Sequence, residues 1–94
     1  MTYVTVNVMT VPPARADEFV QRFADRPRRI EHADGFERFE LLRPADGWHE
    51  WLVMTLWRDR SAYEKWSQER TPRADSVADK HELWAFQLEH SSVI

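Results

Sequence analysis

The sequence predicts an α+β domain of order βαββαβ, with an antiparallel sheet and two helices on one face. Three observations predict it. Residues 4–11, VTVNVMTV, alternate with the period of two that a strand imposes. FERFELLRP (36–44) and EWLVMTLW (50–57) flank Asp46-Gly47, a hairpin turn signal. Between and after these runs the apolar spacing becomes helical, with Phe19, Phe23, Pro27 and Ile30 in one stripe and Tyr63 and Trp66 in another. A strand–helix–strand unit on each side of a central hairpin is the ferredoxin-like arrangement.

Each element has its own argument. In the first strand, predicted over 2–11, Val4, Val6 and Val8 point one way and Tyr3, Thr5, Asn7 and Met9 the other. Both faces carry substantial side chains, so this strand is expected to be covered on both sides. Pro12 and Pro13 end it, because proline removes a ladder donor and suits a helix entry. The first helix then follows the Phe19 stripe, and Pro27 is expected to kink or end it near its last turn. Gly35 is a turn, after which Phe39 and Leu41 share one face of the second strand. In the third, Trp51, Val53, Thr55 and Trp57 oppose Leu52, Met54 and Leu56. RDRSAYEKWSQER (58–70) reads as an amphipathic second helix. TPRADSVADKH is polar and gives no clear assignment, with Pro72 against an unbroken helix. ELWAFQLEH (82–90) closes the chain as a strand with Trp84, Phe86 and Leu88 alternating.

Ninety-four residues suit a single domain, 1–94, with one modest core. A hydrophobic fraction of 43% with five tryptophans predicts a folded globule. The net charge of −3 supplies no basic field for nucleic acid. With no cysteine there is no disulfide framework, thiolate zinc site or cysteine nucleophile. No apolar run approaches the ~20 residues that span a bilayer, and no signal peptide is read. A cytoplasmic protein without membrane partners is the expectation. Two glycines exclude a Gly-rich phosphate loop.

Two helices cover only one face of four strands, so the other apolar face needs a cover of its own. A second copy of the sheet is the economical one, which predicts a homodimer of the dimeric α/β-barrel type. The polar residue in the first strand is the main chemical signal. A buried carboxamide without partners costs roughly 1–3 kcal/mol, so Asn7 is either satisfied beside the strand or turned to a pocket water or ligand.

The phrases VNVMTVPPARADEFVQRFADR, HADGFERFELLRPADG and EWLVMTLWRDRSAYEKW resemble the antibiotic biosynthesis monooxygenase superfamily, and within it the IsdG-type haem-degrading oxygenases. The likeness runs from residue 3 to about 67 and returns in the last strand. It implies that Asn7 projects into a pocket between sheet and helices and donates a hydrogen bond near the haem iron. It implies that Trp66 presses against the porphyrin, that Arg22 and Arg26 meet the propionates, and that Phe23 lines the pocket. An iron-ligating histidine nine or ten residues after the tryptophan is also implied. Those positions are Asp75 and Ser76 here, and the nearest downstream histidine is His81. His81 is therefore the candidate metal ligand.

Each residue also has a plainer reading. Trp66 and Tyr63 fit core packing on a helix. Arg22 and Arg26, four apart, suit two anionic groups, but a solvated face paired with Glu18 and Asp25 explains them equally. His81 also reads as an exposed residue at a strand entrance. Three functions follow. The first is haem degradation, with haem as substrate and cofactor and an external electron donor. The second is a cofactor-free oxygenase acting on an electron-rich polycyclic phenol, with Asn7 and Trp66 steadying the anion. The third is a non-catalytic dimeric module binding a small apolar or aromatic ligand.

Overall fold

The computed structural model describes residues 1–25, 30–69 and 79–92, with the side chains of residues 69 and 79–81 outside the description. Arg26 and Pro27 lie outside the described residues. The elements are β1 (Tyr3–Thr10), α1 (Ala16–Ala24), β2 (Phe36–Leu42), β3 (Glu50–Trp57), α2 (Arg60–Glu69) and β4 (Asp79–Gln87), with short 3-10 helices at Pro13–Arg15 and Ile30–His32. The four strands form one antiparallel sheet in the order β2-β3-β1-β4. The expected ferredoxin-like βαββαβ arrangement is therefore present.

Local chemistry explains the element ends. Pro12 and Pro13 stop β1, and Pro13 sits in the first turn of the 3-10 helix that leads into α1. Asp17 and Glu18 in the first turn of α1 and Arg22 in its last complement the helix dipole. The helix ends at Ala24, ahead of the expected kink or end at Pro27, and Ile30, placed in the same stripe, belongs to a separate 3-10 helix. Proline at 27 disfavours helical geometry for the residue before it. Asp46 at φ 52° and Gly47 at φ 89° make the turn between β2 and β3, where aspartate and glycine tolerate positive φ best. Asp59 Oδ1 accepts the Ala62 backbone N–H at 2.9 Å and caps the N-terminus of α2.

The β1–β3 register pairs Tyr3 with Trp57, Thr5 with Thr55, Asn7 with Val53 and Met9 with Trp51. These rows make the helix face of the sheet. Phe19 of α1 meets Trp51 edge-on at 5.1 Å, and Phe23 stacks on Phe39 of β2 at 5.0 Å. Tyr63 and Trp66 of α2 meet Trp57 at 5.9 and 6.4 Å. Fully burying a side chain such as Phe19 contributes about 1.5–3 kcal/mol, and the half-buried Phe23, Tyr63 and Trp66 add less each, so these contacts seat both helices on one face.

The opposite face carries Val4, Val6 and Val8, with Leu52, Met54 and Leu56 alongside on β3 and Trp84 and Phe86 on β4. Trp84 is 44% and Phe86 53% exposed.

Candidate active site

Asn7 stands midway along β1 on the helix face, with Val53 of β3 and Leu83 of β4 as its lateral partners. Rows on either side are capped by aromatic residues. α1 covers the Met9–Trp51 row through Phe19, and α2 covers the Tyr3–Trp57 row through Tyr63 and Trp66. The Asn7 row lies between these two covers. Leu83 is 44% exposed, so this row opens toward β4.

Asn7 Oδ1 is buried and has no hydrogen-bond partner among the described residues. A buried acceptor left unmatched costs about 1–3 kcal/mol, and native proteins rarely carry one without a reason. Among the described residues nothing satisfies this oxygen beside its own strand.

The other candidates divide. Phe23 is half-buried on α1, between Phe19 and Phe39. Trp66 is half-buried on α2, its ring 34° from the plane of Trp57. Phe23 and Trp66 therefore stand on different helices. Arg22 is exposed, and its Nε lies 3.2 Å from Glu18, which Arg15 also binds at 2.6 Å. The Arg15 hydrogen bond holds the Glu18 carboxyl below its ordinary range. The Glu18 pairing read from the sequence is present.

His81 lies on β4 where the pairing with β1 slips. Val8 faces Glu82 and Met9 faces Lys80, which leaves His81 as the extra residue. Its side chain lies outside the described residues. Among the described residues no three His, Asp or Glu side chains gather as a metal site. A surface groove beside Trp48, His49 and Trp51 contains none of the predicted site residues.

Two contributors were missed in the sequence. Leu83 is Asn7's neighbour only through strand pairing, which no local pattern announces. Trp57 was read as one member of an alternating strand, yet it is 1% exposed and its Nε1 has no partner among the described residues.

Residues 2–74 match the model of one protein family, antibiotic biosynthesis monooxygenase. The chain belongs to that family. It is 36% identical over 94 residues to the heme oxygenase (mycobilin-producing) of Mycobacterium tuberculosis strain H37Rv, a match covering 94% of this chain and 90% of that protein. Its fold matches the structure of the heme degrader MhuD from Mycobacterium tuberculosis, with two hemes bound in its active site, at a TM-score of 0.79 and 32% identity. That match covers 92% of this chain and 94% of the other. SnoaB, a cofactor-independent oxygenase from Streptomyces nogalater, matches as a mutant at a TM-score of 0.70 and 26% identity, over 96% of this chain and 95% of that one. Proteins similar to this chain thus include both a heme degrader and a cofactor-independent oxygenase. Among the described residues no helix is long and apolar enough to cross a membrane.

Proposed function

We propose that the chain is a haem-degrading monooxygenase that takes haem, as substrate and cofactor, onto the sheet around Asn7. One observation carries the reading: a buried carboxamide oxygen without a partner among the described residues, at the centre of the helix face, in a chain 36% identical to a haem oxygenase. A flat apolar ring with two carboxylates suits this surface. Phe23 and Trp66 offer aromatic walls on separate helices, and Arg22 and Arg26 offer cations for the propionates. Arg22 would exchange its exposed Glu18 partner for a propionate, at little cost because surface ion pairs contribute ~0–1 kcal/mol.

Bound haem supplies the iron at which dioxygen is activated, with electrons from an external donor. The chain's residues do the positioning. Asn7 would turn its carboxamide to polar atoms of the bound ligand, where a fixed dipole in a water-poor site counts for more than in solution. Trp66 would press on the ring, with buried Trp57 packed against it at 6.4 Å. His81 is the residue that would hold the iron, since a neutral imidazole suits haem iron and the slipped register frees position 81 from the regular ladder.

A second reading has an observation of its own. Positions nine and ten after Trp66 hold Asp75 and Ser76 rather than histidine. In a cofactor-free oxygenase no axial ligand is needed, and Asn7 would stabilise the anion of a deprotonated phenol. Titration with haemin separates the two. The haem reading expects a saturable Soret shift at one haem per chain, lost in His81→Ala and kept in Asn7→Ala. If haem binds equally to His81→Ala, another group is the ligand. A wild-type protein that binds no haem, but consumes dioxygen with a polycyclic phenol, establishes the second reading.

The open face of the sheet, with Trp84 and Phe86 exposed, is proposed as a homodimer interface, each copy covering the other. The cytoplasm is the proposed compartment.

A further inference from the structure

Four oxidisable side chains touch in series across the α2 end of the sheet. Trp66 lies 6.4 Å from Trp57, Trp57 lies 5.9 Å from Tyr63, and Tyr63 lies 5.8 Å from Tyr3, all between ring centroids. At such separations the ring edges approach contact, and an electron passes between neighbours far faster than through aliphatic packing. The other aromatic branch from Trp57 leads to Phe36 at 6.1 Å and on to Phe39 and Phe23. Phenyl rings resist one-electron oxidation, so that branch conducts nothing.

The protonation chemistry gives the series a direction. Buried tryptophan usually finds a partner for its N–H, but Trp57 is 1% exposed and its Nε1 has none among the described residues. An indole that loses an electron becomes acidic at that nitrogen. Where no acceptor takes the proton, the radical cation persists and remains a stronger oxidant than the neutral indolyl radical. It can therefore take an electron from a phenol. Tyr63 and Tyr3 are only half-buried, so a phenol oxidised there can release its proton to water.

We propose that Trp66, Trp57, Tyr63 and Tyr3 form a relay that carries surplus oxidising equivalents from the oxygenase site to the surface. The proposal rests on the oxygenase reading for its natural oxidant, the activated oxygen left when substrate oxidation miscarries. In balance, that oxidant accepts one electron from Trp66, Trp57 refills Trp66, and Tyr63 or Tyr3 refills Trp57. The phenol gives its proton to water and becomes a neutral tyrosyl radical. A soluble thiol or ascorbate-type reductant then returns one hydrogen atom. The site is spared oxidative damage at the expense of that reductant.

The test needs neither haem nor substrate. The chain has no cysteine, so Lys65→Cys, at an exposed position beside Trp66, accepts a single tris(bipyridyl)ruthenium label. Flash excitation with ruthenium hexaammine as quencher generates ruthenium(III), a one-electron oxidant, and transient absorption with freeze-trapped electron paramagnetic resonance follows the radicals. Only two tyrosines exist, so any tyrosyl signal reports Tyr63 or Tyr3. The relay expects a tyrosyl radical whose appearance slows by about tenfold or more in Trp57→Phe and in Trp66→Phe. Trp66 is half-buried, so its variant remains informative if Trp57→Phe fails to fold. Tyrosyl formation at the parent rate in either folded variant, or no tyrosyl radical in the parent, overturns the relay. Failure of haem titration would remove the haem reading and leave this result standing.

Discussion

Gly35 leaves no room for a side chain against Ala62: a Cβ built at position 35 collides with the Ala62 Cβ, and Gly35 sits at φ 81°. The turn before β2 is thereby pressed under the first turn of α2. It is tied there by the Arg58 N–H, which donates to the Gly35 carbonyl at 2.7 Å, and by Arg58 reaching Asp34 at 3.3 Å. Gly35→Ala is expected to destabilise the fold by roughly 2 kcal/mol or more, combining backbone strain with the collision. Adding Ala62→Gly should relieve the collision alone, so urea denaturation should show partial recovery. Full recovery would mean that the positive φ imposes no strain.

Asn7→Leu separates ligand chemistry from packing. The wild-type oxygen has no partner to lose among the described residues, so replacing the carboxamide by an apolar group of similar shape should be neutral or stabilising, within about 1 kcal/mol. Turnover per folded molecule should collapse. A loss of several kcal/mol with turnover retained would assign Asn7 a structural role instead.

The dimer proposal is tested on β4. Val6 is already 6% exposed within a single chain, so a charge there would break the protomer as well as the pair. Phe86 is 53% exposed, and Phe86→Glu should leave the protomer folded by circular dichroism. Light scattering at micromolar concentration should report a dimer for wild type and a monomer for Phe86→Glu, because an unpaired buried carboxylate opposes association. A monomeric wild type would remove the interface.

Acid should loosen α2 at its cap. The Ala62 N–H and then the Arg58 guanidinium hold the Asp59 carboxyl below its ordinary range. A lowered folded pKa gives stability that is present above the unfolded value, about 3.9 for aspartate, and is lost as pH falls through the folded value. Asp59→Asn keeps a capping oxygen without the charge. Wild type should exceed it in urea midpoint near neutrality, with the gap closing below about pH 4. A gap independent of pH would deny the carboxylate its part.

The sequence by itself determined β1, β3, the Asp46-Gly47 turn and α2, because period-two alternation, turn chemistry and helical spacing are local signals. It also marked Asn7, since a carboxamide among β-branched residues is anomalous wherever the strand pairs. The stripe to Ile30 misled, because apolar spacing carries past the end of α1 at Ala24 into a separate 3-10 helix. Residues 79–81 are Asp-Lys-His, polar and without strand signal, yet their backbone extends β4 along Thr10 and Met9. Backbone hydrogen bonding to β1 satisfies groups that no local pattern counts. Only the tertiary structure decided that Leu83 stands beside Asn7, that Phe23 meets Phe39 while Trp66 meets Trp57, and that Asn7 Oδ1 and Trp57 Nε1 find no partner among the described residues. Register and burial are properties of chain segments far apart in sequence, and satisfaction of a polar atom depends on everything packed around it.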